Sequence, residues 1–255
     1  MAKLIVDFGN TFLKLGVFEV DELQEVQKLE VSNWNGEALE PILGKLKNAY
    51  GPFSASIIST VIDLEEEDLE LFKISGKFLF LSQETKVNFK NKYHSPNSLG
   101  TDRIAAVAGV SYLFPQQNSL VIHAGTCLTY DFLNRDNEYL GGIISPGLKM
   151  RSQALNTFTN KLPLLRVNTI MAYPYLGRNT QECIISGISW GIIHEVQGFL
   201  HQFSADYSKL NVILAGGDSK FLDTHLKNTI FAHQIKWIPD LVLIGLNRIL
   251  TIQNA

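Results

Sequence analysis

The sequence predicts an α/β protein with mixed sheets, assembled from two related halves, and three observations carry that prediction. Residues Lys3 to Phe18 (KLIVDFGNTFLKLGVF) read as a buried strand, a tight Gly9-Asn10-Thr11 turn and a return strand. Residues Leu120 to Phe132 (LVIHAGTCLTYDF) repeat that plan about half a chain later, turning at Ala124-Gly125-Thr126. Three early strands, followed by alternating helix and strand, suit an α/β domain with a mixed sheet.

The elements follow in order. Leu23 to Val31 alternates as a third, half-exposed strand, and Trp34 to Tyr50 reads as a helix with Leu39, Ile42, Leu43 and Leu46 on one face. Ser54 to Thr60 is a buried strand, Asp63 to Phe72 an acidic helix with solvent-facing charges, and Phe78 to Leu81 a short strand. Thr101 or Asp102 opens an alanine-rich helix. Beyond the second hairpin, Glu138 to Pro146 is a strand and Leu148 to Ala154 a helix. The loop Asn160 to Tyr175 is expected to be mobile or at a subunit contact. Gly177-Arg178-Asn179-Thr180 opens a long helix, capped by Asn179 with Glu182 and burying Ile184, Ile188, Ile192 and Val196. Asn211 to Ala215 is a late core strand ending at Gly216-Gly217, with Asp218-Ser219 opening a helix over Lys220 to Lys227. Ile230 to Trp237 reads as a strand and Asp240 to Ile252 as the closing helix behind Pro239. No linker or low-complexity segment interrupts the chain. The domain boundary is therefore expected inside compact structure, dividing 1–115 from 116–255.

Composition narrows the function. At 255 residues, 45% apolar and 18% charged, the chain has the make-up of a soluble globular enzyme. A formal charge of −3 argues against nucleic acid as an electrostatic partner. Cys127 and Cys183 make neither a disulfide framework nor a zinc ligand set. The start MAKLIVDFGN leaves no room for a signal peptide, and no apolar run approaches the roughly 20 residues of a membrane span. The expectation is a cytoplasmic protein with neither nucleic-acid nor membrane partner.

Several residues carry chemistry. Gly9 lets backbone approach a ligand closely, while Asn10 and Thr11 put short polar groups and N–H donors where a phosphate could sit. Asp7 would repel a phosphate directly, so its natural partner is a divalent cation or that cation's water shell. In VNFKNKYHSPNSLGTDR, Val87 to Arg103, Asp102 is either a plain helix-start acid or a general base aimed at a substrate hydroxyl. Arg103 suits an anionic group, because guanidinium binds carboxylate through paired hydrogen bonds.

Two phosphate-facing hairpins, one per half, are the plan of duplicated actin-like ATPase (ribonuclease H-like) domains, with an ATP cleft between them. The ordered set DFGNT, GTDR, HAGTCLTYD, GGIISPG and GRNT resembles type III pantothenate kinases, members of the acetate and sugar kinase, heat-shock ATPase and actin superfamily. The resemblance runs from residue 7 to about residue 217. It implies ATP-dependent phosphorylation of pantothenate to 4'-phosphopantothenate, the entry to coenzyme A synthesis, by a homodimer. It implies ATP contacts from Asp7, Phe8, Gly9, Asn10, Thr11, Phe12, Leu13, Lys14 and Thr126, with Asp7 holding Mg²⁺ through water. Pantothenate would meet Tyr93, Gly100, Thr101, Asp102 and Arg103, with Asp102 as proton acceptor, and Thr180 from the neighbouring subunit. The Gly216-Gly217 pair would let backbone lie flat against adenosine, and GGIISPG would close on the substrate. One position departs from the pattern: His123 stands where the family has an Asp that holds potassium or ammonium. Imidazole is a poor ligand for a hard alkali ion. Either His123 supplies its own charge or the cation sits elsewhere, and Asp131 is either a compensating carboxylate or a strand-end acid. Two alternatives stand beside this reading: a non-catalytic regulator like the Bvg accessory factors, and a kinase for another small hydroxylated acid.

Overall fold

The computed structural model describes residues 1–73, 76–167 and 173–253. The chain divides into two compact units: 1–115 with 137–139 and 240–255, and 116–136 with 140–239.

The first unit is built on a five-stranded sheet of β1 (Ala2–Phe8), β2 (Phe12–Glu19), β3 (Glu22–Glu30), β4 (Ala55–Thr60) and β5 (Lys77–Phe80), in the order β3-β2-β1-β4-β5. β1, β2 and β3 form an antiparallel meander, and β4 and β5 add in parallel on the other side of β1. Central β1 is nearly continuous in apolar residues because both of its faces are covered, whereas edge strand β3 is only partly buried and keeps Glu22 and Glu30 in water. Helix α1 (Gly36–Tyr50) starts two residues later than the pattern suggested. Asn35 caps it by accepting from the Ala38 N–H at 2.7 Å, and Trp34 packs edge-on against Phe8 instead. The acidic helix shrinks to α2 (Glu66–Glu70), because Glu65 and Asp68 form a reciprocal capping box that fixes its start. Helix α3 (Thr101–Leu113) follows the short β6 (Lys90–Asn91).

The second unit repeats the plan. Strands β7 (Ser119–Ala124), β8 (Cys127–Leu133), β9 (Glu138–Pro146), β10 (Asn211–Ala215) and β11 (Ile235–Trp237) lie in the order β11-β10-β7-β8-β9. That is the first sheet's order, with β7 and β8 as the antiparallel hairpin and β10 and β11 parallel beside it. Only the Glu138–Tyr139 start of β9, which pairs in parallel with β6, groups with the first unit. Helices α4 (Leu148–Thr157), α5 (Thr180–Asp206) and α6 (Ser219–Leu226) complete this unit. Part of the loop expected over Asn160 to Tyr175, residues 168–172, lies outside the described residues. Strand β11 is far shorter than the stretch Ile230 to Trp237. Turn bonds from Ala232 N–H to Thr229 O and from Gln234 N–H to Phe231 O hold the preceding residues in a 3₁₀ turn. Helix α5, at 27 residues, is long and apolar enough to cross a bilayer by length and composition, contrary to the expectation that no stretch is. Its apolar stripe Ile184, Ile188, Ile192, Ile193, Val196 and Leu200 is buried in the second unit's core.

The last helix, α7 (Leu241–Gln253), returns to the first unit, so the sequence-based division at 115/116 misplaces residues 240–255. It packs on α3 through two glycines. A Cβ on Gly245 would stand 1.7 Å from the Ala105 carbonyl oxygen, and one on Gly109 would stand 2.8 Å from that of Leu241. The amphipathic face of a closing helix is legible in sequence, but which unit it covers is not. At its far end, Lys3 Nζ donates to Asn247 Oδ1 at 3.0 Å and to Thr251 Oγ1 at 2.9 Å, tying α7 to β1. We expect Gly245→Ala to destabilise the protein by about 3 kcal/mol, since backbone cannot yield as a side-chain tip can. Urea unfolding checks this, and a loss under about 1 kcal/mol would show that the two helices are not in close contact.

Candidate active site

The first unit gathers most of the residues singled out from sequence. Asp7 closes β1 opposite Lys14 in the hairpin register and is only 8% exposed. Among the described residues no group donates a hydrogen bond to its carboxylate. Loss of water pushes its pKa up to about 6; nearby Lys14 opposes that rise and the Asp102 carboxylate adds to it. The turn beyond it is closed by Gly9 N–H to Phe12 O at 3.1 Å and held from outside by Val31 N–H to Thr11 O at 2.9 Å. Asn10 is left exposed at the tip. Phe8 and Leu13 are fully buried core side chains, so only their backbone is available to a ligand.

Asp102 sits in the first turn of α3, where its Oδ1 accepts from the Arg103 N–H at 2.8 Å. Burial is the main cause that raises its pKa above the ordinary carboxylate value, against that N–H and the Arg103 charge. Gly100 is the cap residue, and a Cβ there would meet Asp102 Oδ1 at 2.7 Å, so a side chain at this position would displace the carboxylate. Thr101 is committed to structure. Its hydroxyl donates to Thr60 O at 2.8 Å and accepts from Ser59 at 3.0 Å, locking α3 to the end of β4. Arg103 is 7% exposed, which rules out a plain surface ion pair. Its Nη2 donates to the Tyr139 hydroxyl at 2.9 Å, and its guanidinium lies 5.8 Å from the Tyr93 ring centre. Tyr93 and Tyr139 are themselves neighbours, with ring centres 6.0 Å apart. Tyr139 is a residue that sequence reasoning missed. It is one aromatic in an ordinary strand pattern, 36 positions from the arginine it holds.

The second unit holds the other turn. Gly125 N–H bonds to Cys127 O at 3.0 Å, and Gly147 N–H to Thr126 O at 3.1 Å. The fit here is close: a Cβ on Gly147 would stand 2.1 Å from Gly125 O. Gly216, at φ +90°, faces the other side, where a Cβ would come within 2.4 Å of Ala124 O. Asp218 N–H also donates to Ala124 O, at 3.0 Å. Backbone thus packs on the Ala124–Thr126 turn from two directions. His123 lies across the hairpin from Thr129, whose hydroxyl is 3.4 Å from the carboxylate of fully buried Asp131. Thr180 stands exposed at the start of α5. Asn179 caps that helix by accepting from Glu182 N–H, while Glu182 accepts from Arg178 N–H at 2.7 Å.

Residues 3–202 match the type III pantothenate kinase family. The chain belongs to that family. Type III pantothenate kinases from Flavobacterium johnsoniae and Phocaeicola vulgatus are each 40% identical to it. The first covers 90% of this chain and 91% of the relative, the second 97% of both. Solved structures extend the likeness at the level of fold. A conserved Baf family transcriptional activator from Campylobacter jejuni superposes with a TM-score of 0.63 at 20% identity, over 98% of each chain. The activator of 2-hydroxyisocaproyl-CoA dehydratase from Clostridium difficile, with bound ADPNP, gives 0.57 at 12% identity, over 100% of this chain and 95% of that one. The fold of this type III pantothenate kinase family member is accordingly that of the actin-like ATPases and sugar kinases.

The raised pKa of Asp7 has a measurable sign. A carboxyl that titrates near 6 when folded and near 3.8 when unfolded stabilises the folded state only while protonated. That share is present below pH 4 and lost as pH rises through 6. Asp7→Asn is therefore expected to stabilise the ligand-free protein at pH 8 by up to about 3 kcal/mol, at roughly 1.4 kcal/mol per pKa unit, and hardly at pH 4. Urea unfolding at both pH values would show it. A gain independent of pH would mean that Asp7 is solvated.

Proposed function

We infer that this protein phosphorylates pantothenate from ATP, giving 4'-phosphopantothenate in the first step of coenzyme A biosynthesis. Family membership carries the reaction. The observation that carries the assignment of roles is the pair Asp102–Arg103 on one buried helix start, with the carboxylate raised in pKa and the guanidinium held by Tyr139. Pantothenate brings a primary hydroxyl and a carboxylate. Asp102 orients the hydroxyl and accepts its proton as the phosphoryl group arrives, while Arg103 and Tyr93 receive the acid end. Thr101 and Gly100 act by fixing that helix start.

The ATP phosphates take N–H donors from the Gly9–Thr11 and Gly125–Thr126 turns, with Lys14 and the Thr126 hydroxyl as further polar contacts. The family's use of ATP entails a divalent cation. A buried carboxylate poised near pH 6 suits its water shell, and Asp7 would hold Mg²⁺ there; the cation would neutralise charge on the phosphates. The side chain at position 123 does not suit a potassium or ammonium ion, since imidazole offers a soft donor and, when protonated, a like charge. Of the two alternatives, we take His123 to supply that charge itself, and turnover is then expected to be indifferent to the monovalent ion.

Two features support a homodimer. Phe158, Leu164, Tyr175 and Leu176, which lie between α4 and α5 in sequence, are each more than half exposed. Along α5, Gly187 and Gly198 face open space, which leaves room for a second helix at close range. In that arrangement exposed Thr180 serves the neighbouring subunit's pantothenate. The reading places the protein in the cytoplasm, with ATP and pantothenate as its small-molecule partners.

Turnover of ATP with pantothenate in potassium, ammonium, sodium and no monovalent salt, beside Asp102→Asn, tests the assignment. We expect equal rates in all four conditions and a fall in kcat of about 10²- to 10⁴-fold in the variant. Potassium-dependent turnover would refute the reading of His123. Folded protein that binds nucleotide but turns over nothing would favour a regulator over a kinase.

A further inference from the structure

A network in the second unit, outside the residues assigned above, converges on the support of the Gly125–Thr126 turn. Glu195, on α5, uses both carboxylate oxygens. Oε1 accepts from the hydroxyl of fully buried Tyr130 on β8 at 3.0 Å, and Oε2 accepts from Ser145 at 3.1 Å and pairs with Arg151 Nη2. Arg151, on α4, turns back to the end of β9. Its Nε donates to Pro146 O at 2.8 Å and its Nη2 to the Ser145 hydroxyl at 3.0 Å. About a fifth of each partner's side chain is exposed, so the pair is sheltered from screening by solvent.

The next residue after this clamp is Gly147, whose N–H bonds to Thr126 O and which leaves no room for a side chain against Gly125 O. A shift of Ser145–Pro146 would therefore move the peptide between Gly125 and Thr126 and re-aim its neighbouring N–H groups. Backbone donors stabilise a phosphate only when pre-aimed, and displacement by about an ångström forfeits that alignment.

We propose that Arg151 and Glu195 are positioning residues for the nucleotide: their ion pair, anchored by Tyr130, clamps Ser145–Pro146 so that Gly147 seats the Gly125–Thr126 turn in its phosphate-binding geometry. This deepens the reading of that turn as an ATP contact and rests on it. Arg151 acts through the Ser145 hydroxyl, the Pro146 carbonyl and then Gly147. The geometry also distinguishes arginine from lysine, because a single ammonium cannot span Glu195, Ser145 and Pro146 O at once.

The test is direct binding of Mg·ADP to the full-length protein without acceptor, together with KM for ATP, KM for pantothenate and thermal midpoint. The proteins compared are wild type, Arg151→Met, Arg151→Lys, Glu195→Gln and Tyr130→Phe. We expect Arg151→Met to weaken Mg·ADP binding and raise KM for ATP about tenfold, with KM for pantothenate within twofold. Arg151→Lys should recover part of that loss, and Tyr130→Phe should cost about threefold. Unchanged nucleotide affinity in variants with lowered thermal midpoints would reduce the network to plain structure, and equal rises in both KM values would mean general distortion; either overturns the proposal. Should Arg151→Met fail to fold, the milder Glu195→Gln and Tyr130→Phe decide by the same criteria. Wild-type protein that does not bind Mg·ADP would instead sink the nucleotide reading of the turn itself.

Discussion

Two carboxylates taken out of water in one small unit set the terms for the rest of the structure. Asp7 and Asp102 repel each other and lack full solvation. Arg103 lies next to Asp102 in sequence, yet its fork is turned toward Tyr139 and Tyr93. Such an arrangement is costly for folding and useful for binding. Burial raises the pKa of both carboxylates, so each holds a proton, or gains from a cation, more readily than an exposed acid would.

The two units hold corresponding hairpin turns with the same strand order and different buttresses. In the first, β3 reaches the turn directly through Val31 N–H. In the second, the buttress is glycine backbone, Gly147 on one side and Gly216 on the other, backed by the Arg151–Glu195 pair. The hairpin and its parallel neighbours recur in both units, while the supports are free to differ. That freedom is unsurprising, since many local packings can hold one turn in place.

What was legible in the sequence follows from how locally each feature is encoded. The hairpins, the buried strands and the capped start of α5 announce themselves through period and turn chemistry within a few residues. Asp102 and Arg103 were found because a short motif places them at a helix start. Features that depend on distant partners stayed hidden. The Tyr139 hydroxyl, the commitment of Thr101 to Ser59 and Thr60, and the Glu195 clamp involve residues tens of positions apart that carry no local signature. Phe8 and Leu13 are buried because the sheet around them is covered, which a short motif does not reveal. The length misjudged at Ile230 to Trp237 is a competition between apolar content, which favours a strand, and Thr229, which nucleates a turn.

The return of α7 to the first unit bears on how the protein is made. Leu241, Val242, Leu243, Leu246, Ile249 and Leu250 are all buried, and the helix they form covers α3 and the strands β1 and β4. The opening half of the chain therefore leaves the ribosome without one wall of its own core. Its apolar strands must wait, partly uncovered, for the second unit to be synthesised before the final helix arrives. A fold whose strand plan is repeated in tandem is thus not completed in tandem. The unit begun first is finished last, and the chain depends on the interval being short or guarded.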